Sequence, residues 1–479
     1  MDAAAEKKIT TKKIIKLVFI LVLTVIIWNI PTPAGLKTEI WHMVAIYLAV
    51  LLGLIIKPLP APVITLIIVG FAMLFVKKPE MLLSGYSSDM TWFIWAVTIV
   101  ATAFIKTGLG NRIAYNLLMR AGNSTLGLGY LLVLADLILS PATGSNSARI
   151  SIIYPIFQNI AEGVDSYPNK NPRRLGGFFT ILSYVSSQGT SAIFMTGMAT
   201  NAISVSLIAQ MAHIHLTWTS WFLAAVVPAG LFLLAAPYVV YKLYKPELTE
   251  LTDVKKQAQQ KLQEMGPMSG KEKTLFIIFI LAILGWIFGP KLTFIALSTQ
   301  AVGFVFLGLL FLTGLLNWKD AMGVKGAWNI LVWYGAFYGI ASSLADGGFY
   351  NWLADVLSKA VDLSHVNGLL VTVILLLISI VVRYFFVSTS AFAVSFLPVI
   401  LSMAANTRAN LSVLSLLLAF FVAYGALLTH YGNGAGLIVF ASDYVSQKEF
   451  WKIGTVMAIV ALFIFLVIGL PYWKLIGIW

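Results

Sequence analysis

Long apolar stretches separated by short polar breaks dominate the chain. Ile14 to Ile30, Leu275 to Phe288, Leu369 to Val382 and Trp451 to Leu470 approach or reach the roughly 20 apolar residues that cross a hydrocarbon core. Each reads as a spanning helix. Two of the breaks are versions of one another. Ser145-Asn146-Ser147-Ala148 and Ser388-Thr389-Ser390-Ala391 each follow an apolar run, and Pro155 or Pro398 follows ten residues after the first serine. A second pair of interruptions comes later in each half. One is Ser186-Ser187-Gln188-Gly189-Thr190, continuing to Gly197 and Thr200-Asn201; the other is Thr429-His430-Tyr431-Gly432-Asn433-Gly434. Paired breaks at matching places in two halves predict a substrate site assembled from half-helix ends.

The pattern predicts an all-α polytopic membrane protein with about 11 transmembrane helices plus two re-entrant hairpins. Residues 1–37 hold the N-terminus and first span, and residues 38–245 form repeat one, with a hairpin at about 126–160. A polar linker covers 246–274. Repeat two occupies 275–479, with its hairpin at about 364–405. An odd number of spans in each repeat inverts one against the other, so the first hairpin is expected to open from the cytoplasm and the second from outside.

Composition and charge sharpen this picture. Of 479 residues 59% are hydrophobic and 11% charged, against about 25% charged in a soluble domain, which excludes a soluble protein. The formal charge of +13 is explained by where the lysines and arginines fall. Lys7, Lys8, Lys12, Lys13 and Lys16 precede the first span and place the N-terminus inside, and an odd span count places the C-terminus outside. Most other basic residues then fall in inside loops, with Lys77 and Lys78 the clearest departures. Spread over short loops, they do not form a nucleic-acid reader. No signal-peptide pattern appears at the N-terminus, so Ile14 to Ile30 is expected to be retained as a span, and the expected location is a plasma membrane of bacterial type. The absence of cysteine excludes disulfides and thiol chemistry. Neither paired catalytic carboxylates nor a His-Glu-x-x-His run is present, so no enzyme is expected and no cofactor is implied.

The expected binding residues are those of the four breaks. Ser140-Pro141-Ala142-Thr143-Gly144 ends one helix, because proline lacks a donor and glycine tolerates unusual dihedrals. Free N–H groups where the helix restarts, with Ser145, Asn146 and Ser147, form a neutral anion receptor. Ser388, Thr389 and Ser390 do the same from the other hairpin. Two facing receptors suit a molecule with a carboxylate at each end, although each hydroxyl could instead bond its own backbone. Gly189, Thr190, Thr429, His430 and Asn433 complete the expected set. Arg149 is expected to hold a carboxylate, since a cation at membrane depth is costly and by default functional. Arg383 could instead snorkel or meet a helix end, and His430 could be a cation, a neutral donor or a core histidine. Asp136 could relay protons or meet a positive partner, and is left without a role at the substrate. His213 and His215, two apart, cannot share a helix face for a metal.

With these residues in view, the chain resembles the divalent anion–sodium symporter family, and within it the sodium-independent di- and tricarboxylate exchangers. The resemblance covers essentially the full length. Its sharpest pieces are Ser145-Asn146-Ser147-Ala148-Arg149, Thr196-Gly197-Met198-Ala199-Thr200-Asn201 and Phe385 to Phe392. The family carries a Ser-Asn-Thr triplet at each hairpin tip, which binds substrate carboxylates and helps frame sodium. Here Ser147 replaces the first Thr and Thr389 replaces the second Asn, which removes an amide carbonyl from a sodium shell that needs several oxygens. The resemblance implies sodium-independent antiport of small dicarboxylates of the 2-oxoglutarate, malate and succinate type. Arg149 and His430 would then supply the charge that sodium otherwise would. It further implies a homodimer and an elevator mechanism, in which the hairpins and broken helices move against a fixed scaffold. A sodium- or proton-coupled di- or tricarboxylate symporter is the alternative.

Overall fold

The computed structural model describes residues 11–479 other than 121–122, 252, 293–294, 296 and 362. Lys7 and Lys8, counted among the cytoplasmic lysines, lie outside the described residues. Among the described residues the protein is all-α. No strand forms, and β pairing is confined to two isolated bridges, Ser124 with Glu250 and Tyr167 with Lys170. Seven of the described helices are long and apolar enough to cross a membrane, and five shorter apolar helices accompany them. A helix satisfies its backbone within its own segment, which is what lipid requires.

The chain opens with α1 (Thr11–Asn29), α2 (Thr38–Ile56), α3 (Ala61–Ala72) and the single turn α4 (Glu80–Leu83). α5 (Asp89–Thr107) passes through Gly108 into α6 (Leu109–Met119). α7 (Thr125–Leu139) and α8 (Asn146–Glu162) are the arms of the first hairpin, and α9 (Gly176–Ile193) breaks before α10 (Ala199–Ala212). α11 (Trp218–Leu243) follows. After α12 (Val254–Met265) come α13 (Gly270–Phe288), α14 (Thr299–Leu312) and the short α15 (Trp318–Gly323). The order then recurs. α16 (Lys325–Asp346) passes through Gly348 into α17 (Phe349–Ala360), and α18 (Gly368–Arg383) with α19 (Thr389–Ala405) makes the second hairpin. α20 (Leu411–Tyr424) breaks before α21 (Gly434–Phe440), and α22 (Gln447–Ile464) continues into α23 (Leu470–Leu475). Gly108 and Gly348 take the same left-handed backbone, with φ of 78° and 76°. A side chain at either would be strained there, so each marks a sharp re-aiming of the chain.

The contacts divide the chain into two units, Met1–Trp92 with Lys325–Asp362, and Phe93–Val324 with Leu363–Trp479. In the first, α16 packs on α2 and α3, the Tyr86 hydroxyl donates to the Val332 carbonyl at 2.5 Å, and Trp28 stacks on His42 at 3.8 Å. In the second, α9 is buried along its whole length between α7, α8 and α11. Both hairpins and both broken helices belong to this second unit, so every expected binding residue does too.

The polar linker is docked, and α12 gives it a helix. Arg112 on α6 reaches Glu272 with Nε at 2.6 Å and Nη2 at 3.2 Å, and donates from Nη1 to the Gly266 carbonyl at 3.0 Å. The Leu251 N–H bonds Asn123 O at 2.7 Å, and the Thr125 N–H bonds Thr249 O at 2.9 Å. These bonds strap the linker to the base of the first hairpin.

Candidate functional site

Each hairpin turns on the same local chemistry. Ser145, in extended backbone, is the N-cap of α8, and its hydroxyl accepts the Ala148 N–H at 3.3 Å. Ser388 caps α19 and accepts from Ala391 at the same 3.3 Å. In each case the hydroxyl accepts the cap through one lone pair and keeps its own O–H to donate to a ligand. The residues that follow remain free for it. Asn146 is 9% exposed and its Nδ2 has no partner, while Ser147, Thr389 and Ser390 are half-buried.

The tips meet at the breaks of the other helices. After Ile193 the chain makes a 3-10 turn at Met195–Gly197, extends at Met198, and restarts as α10. The Ala199 N–H donates to Gly144 O in the first tip at 2.9 Å. The next residue, Thr200, places its hydroxyl 3.2 Å from that of Thr389 and 3.0 Å from that of Ser390. Both tips thus touch consecutive residues of one helix start. At the other break a Cβ on Gly434 would lie 2.5 Å from the Ser147 hydroxyl, so only glycine lets the start of α21 approach the first tip. Four helix starts cluster here, and each contributes unpaired N–H groups and the positive end of its dipole. Thr200 was absent from the expected set, although the polar run Thr196 to Asn201 pointed to it.

Arg149 lies elsewhere than expected. It is fully buried, with Nε on Asp136 Oδ1 at 2.9 Å, Nη1 on Thr143 O at 3.0 Å and Gly197 O at 2.6 Å, and Nη2 on Ser191 Oγ at 2.6 Å. Every guanidinium nitrogen is engaged inside the protein. Arg149 therefore braces the tip against the break, and Asp136 neutralises it. Thr190 belongs to this network, with its hydroxyl donating to Asp136 Oδ2, and offers nothing to a ligand. Arg383 is also buried, with Nη1 on Phe386 O at 2.6 Å and Nη2 on Gly432 O. Its Nε has no partner, and no carboxylate pairs with it among the described residues.

Residues 11–479 match the model described as the sodium:sulfate symporter transmembrane region. The chain belongs to the divalent anion–sodium symporter family. It is a multi-pass membrane protein of a transporter family, 39% identical over 98% of its length to inner membrane protein YbhI of Escherichia coli, 99% of which is covered. The L-tartrate/succinate antiporter of Shigella sonnei is 32% identical over 93% of this chain and 95% of its own. The YdaH transporter of Alcanivorax borkumensis shares the fold, with a TM-score of 0.53 at 11% identity, over 97% of this chain and 98% of that one.

Within this family member the remaining expected residues divide. Gly189 is a packing residue, since a Cβ there would meet Leu233 Cδ2 at 2.6 Å and Phe232 Cδ1 at 2.8 Å. Thr429 is buried, and its carbonyl accepts the Tyr184 hydroxyl at 3.0 Å. Asn433 caps α21 through Oδ1 and donates from Nδ2 to Gln188 Oε1 at 2.7 Å, which ties the two breaks together. His430 stacks on Phe440 at 4.1 Å, and its Nδ1 accepts the Trp451 indole N–H at 2.9 Å. A nitrogen that accepts carries no proton, so this imidazole is neutral and does not supply the charge expected of it. Tyr184 and Trp451 were not singled out, and Gln188 was named only as part of its break, because nothing in local spacing reveals partners on distant helices.

Proposed function

We propose that this protein is a secondary active transporter that exchanges small dicarboxylates, of the 2-oxoglutarate, malate or succinate type, by sodium-independent antiport. The observation that carries the reading is the contact of both tips with Ala199 and Thr200. It brings Asn146, Ser147, Thr389, Ser390 and Thr200 to one place, with helix starts that favour anions. Hydroxyl and amide donors gathered in one place suit a ligand with a negative group at each end. The name of the Shigella sonnei relative, an antiporter of two dicarboxylates, agrees with that chemistry.

Sodium independence rests on the arginines. Hard cations need several oxygen ligands, and the carbonyls beside each tip already accept from a guanidinium: Thr143 and Gly197 from Arg149, Phe386 and Gly432 from Arg383. Exchange follows from Arg383, whose charge stays buried when the site is empty and makes an unloaded return costly. In this reading the repeats are inverted and the hairpins open from opposite sides. The N-terminus is cytoplasmic, the C-terminus is outside, and two copies assemble in a bacterial plasma membrane for an elevator movement. One observation favours sodium-coupled symport instead: Asn201 Oδ1 is buried without a partner, an oxygen free for a cation.

Counterflow in proteoliposomes tests the reading. Labelled succinate or malate should enter only vesicles preloaded with dicarboxylate, at a rate unchanged when choline replaces sodium. Equal uptake by empty vesicles would refute exchange, and loss of uptake in choline would favour the symporter.

A further inference from the structure

A groove lies in the first unit, between α1, α2 and α3. Its accessible space is about 440 Å³, and Leu21, Val25 and Trp28 of α1, Ala49 of α2, and Ile67 and Phe71 of α3 line it. Among the large apolar side chains of α1 only Ile20 is buried; Leu21 and Val25 stand 61% and 51% exposed, as does Phe71 at 65%. The helix leaves one side of itself uncovered. At 1.5 Å per residue the lined stretch from Leu17 to Asn29 is roughly 18 Å long, close to one leaflet of a hydrocarbon core about 30 Å thick.

The two ends of the groove differ. At the far end Trp28 stacks on His42 and meets the edge of Phe75 at 6.4 Å, which closes the groove with aromatic rings. At the near end the exposed Lys12 and Lys16 share a face of α1, and Lys16 Nζ lies 3.3 Å from Ile56 O, beside the exposed Lys57 at the end of α2. Lysines gathered where an apolar groove meets the membrane surface attract anionic headgroups.

We propose that this groove holds one acyl chain of an anionic phospholipid, with its phosphate set among Lys12, Lys16 and Lys57. The groove supplies shape for the chain, and the lysines select the headgroup. A zwitterionic lipid would fit the groove but forgo the charge.

Native mass spectrometry of the full chain, with phosphatidylglycerol or phosphatidylcholine added at equal concentration, tests this. Wild-type protein should retain phosphatidylglycerol at least about tenfold better. K12Q/K16Q/K57Q should lose that preference, and V18W, which adds bulk at a half-exposed lining position, should lower retention of both lipids. Because the chain has no cysteine, V18C gives a clean crosslinking probe. Equal retention of the two lipids by wild type would overturn the proposal, as would undiminished preference in the triple variant or an efficient V18C dimer in anionic membranes. Thermal unfolding of the variants separates a lost site from a lost fold.

Discussion

Arg149 and Arg383 reach matching carbonyls from opposite arms of their hairpins. Arg149 is in the second arm and bonds Thr143 O and Gly197 O; Arg383 ends the first arm and bonds Phe386 O and Gly432 O. Thr143 and Phe386 each stand two residues before the capping serine, and Gly197 and Gly432 each stand two residues before a helix restart. One guanidinium thus pins each tip to a break. Among the described residues Arg149 has an acid beside it, in Asp136, and Arg383 has none; Arg383 lies 5.4 Å from the Phe392 ring.

This asymmetry predicts different outcomes for the two arginines. R149Q strands the buried Asp136 carboxylate and should cost about 3–5 kcal/mol of stability, part of which D136N/R149Q restores. R383Q leaves no stranded acid, so its thermal unfolding should shift less, while the KM for dicarboxylate uptake should rise about tenfold or more. An R149Q protein as stable as wild type, or an unchanged KM in R383Q, would contradict the assignment.

The capping serines and their neighbours should separate in the same assays. S145A and S388A each lose one cap of equal length and should each cost about 1 kcal/mol of stability. N146A and T389A should instead raise the KM with little change in unfolding temperature. A larger KM effect from the capping serines than from Asn146 and Thr389 would reverse the two roles.

Gly189 should be intolerant of even one methyl. A Cβ there meets Leu233 and Phe232 below 3.0 Å, and overpacking of this kind costs typically 1–3 kcal/mol. G189A should lower the unfolding temperature in detergent, and L233A should partly rescue it. A direct ligand role would give a KM effect that L233A leaves untouched.

The docked linker should resist proteolysis. Arg112 holds Glu272 through two nitrogens and bonds the Gly266 carbonyl, so R112A should speed tryptic cleavage at Lys255, Lys256 and Lys261. Cleavage at the wild-type rate would show that the strap contributes little.

Much of the candidate site was legible because it is duplicated. Helix breaks in an apolar chain are visible as short polar runs, and their recurrence singled out Asn146, Ser147, Thr389 and Ser390. The roles of Arg149, Gly189, Thr190 and His430 were not legible. Each is set by a partner on another helix: Asp136 across the hairpin turn, Leu233 on α11, the Asp136 carboxylate again, and the Trp451 indole. Spacing along one helix reports which residues share its face, and says nothing of what that face meets.

The order of hydrophobic and polar residues by itself determined that this is a helical membrane protein with two matched hairpins and two matched breaks. Lipid offers no partner for a backbone group, so spans and interruptions have to be written in the local sequence. Tertiary structure alone decided which charges are spent inside the protein and which donors remain free. A buried guanidinium takes whatever acceptors packing brings within about 3 Å of it, and for Arg149 and Arg383 those acceptors come from segments tens of residues apart.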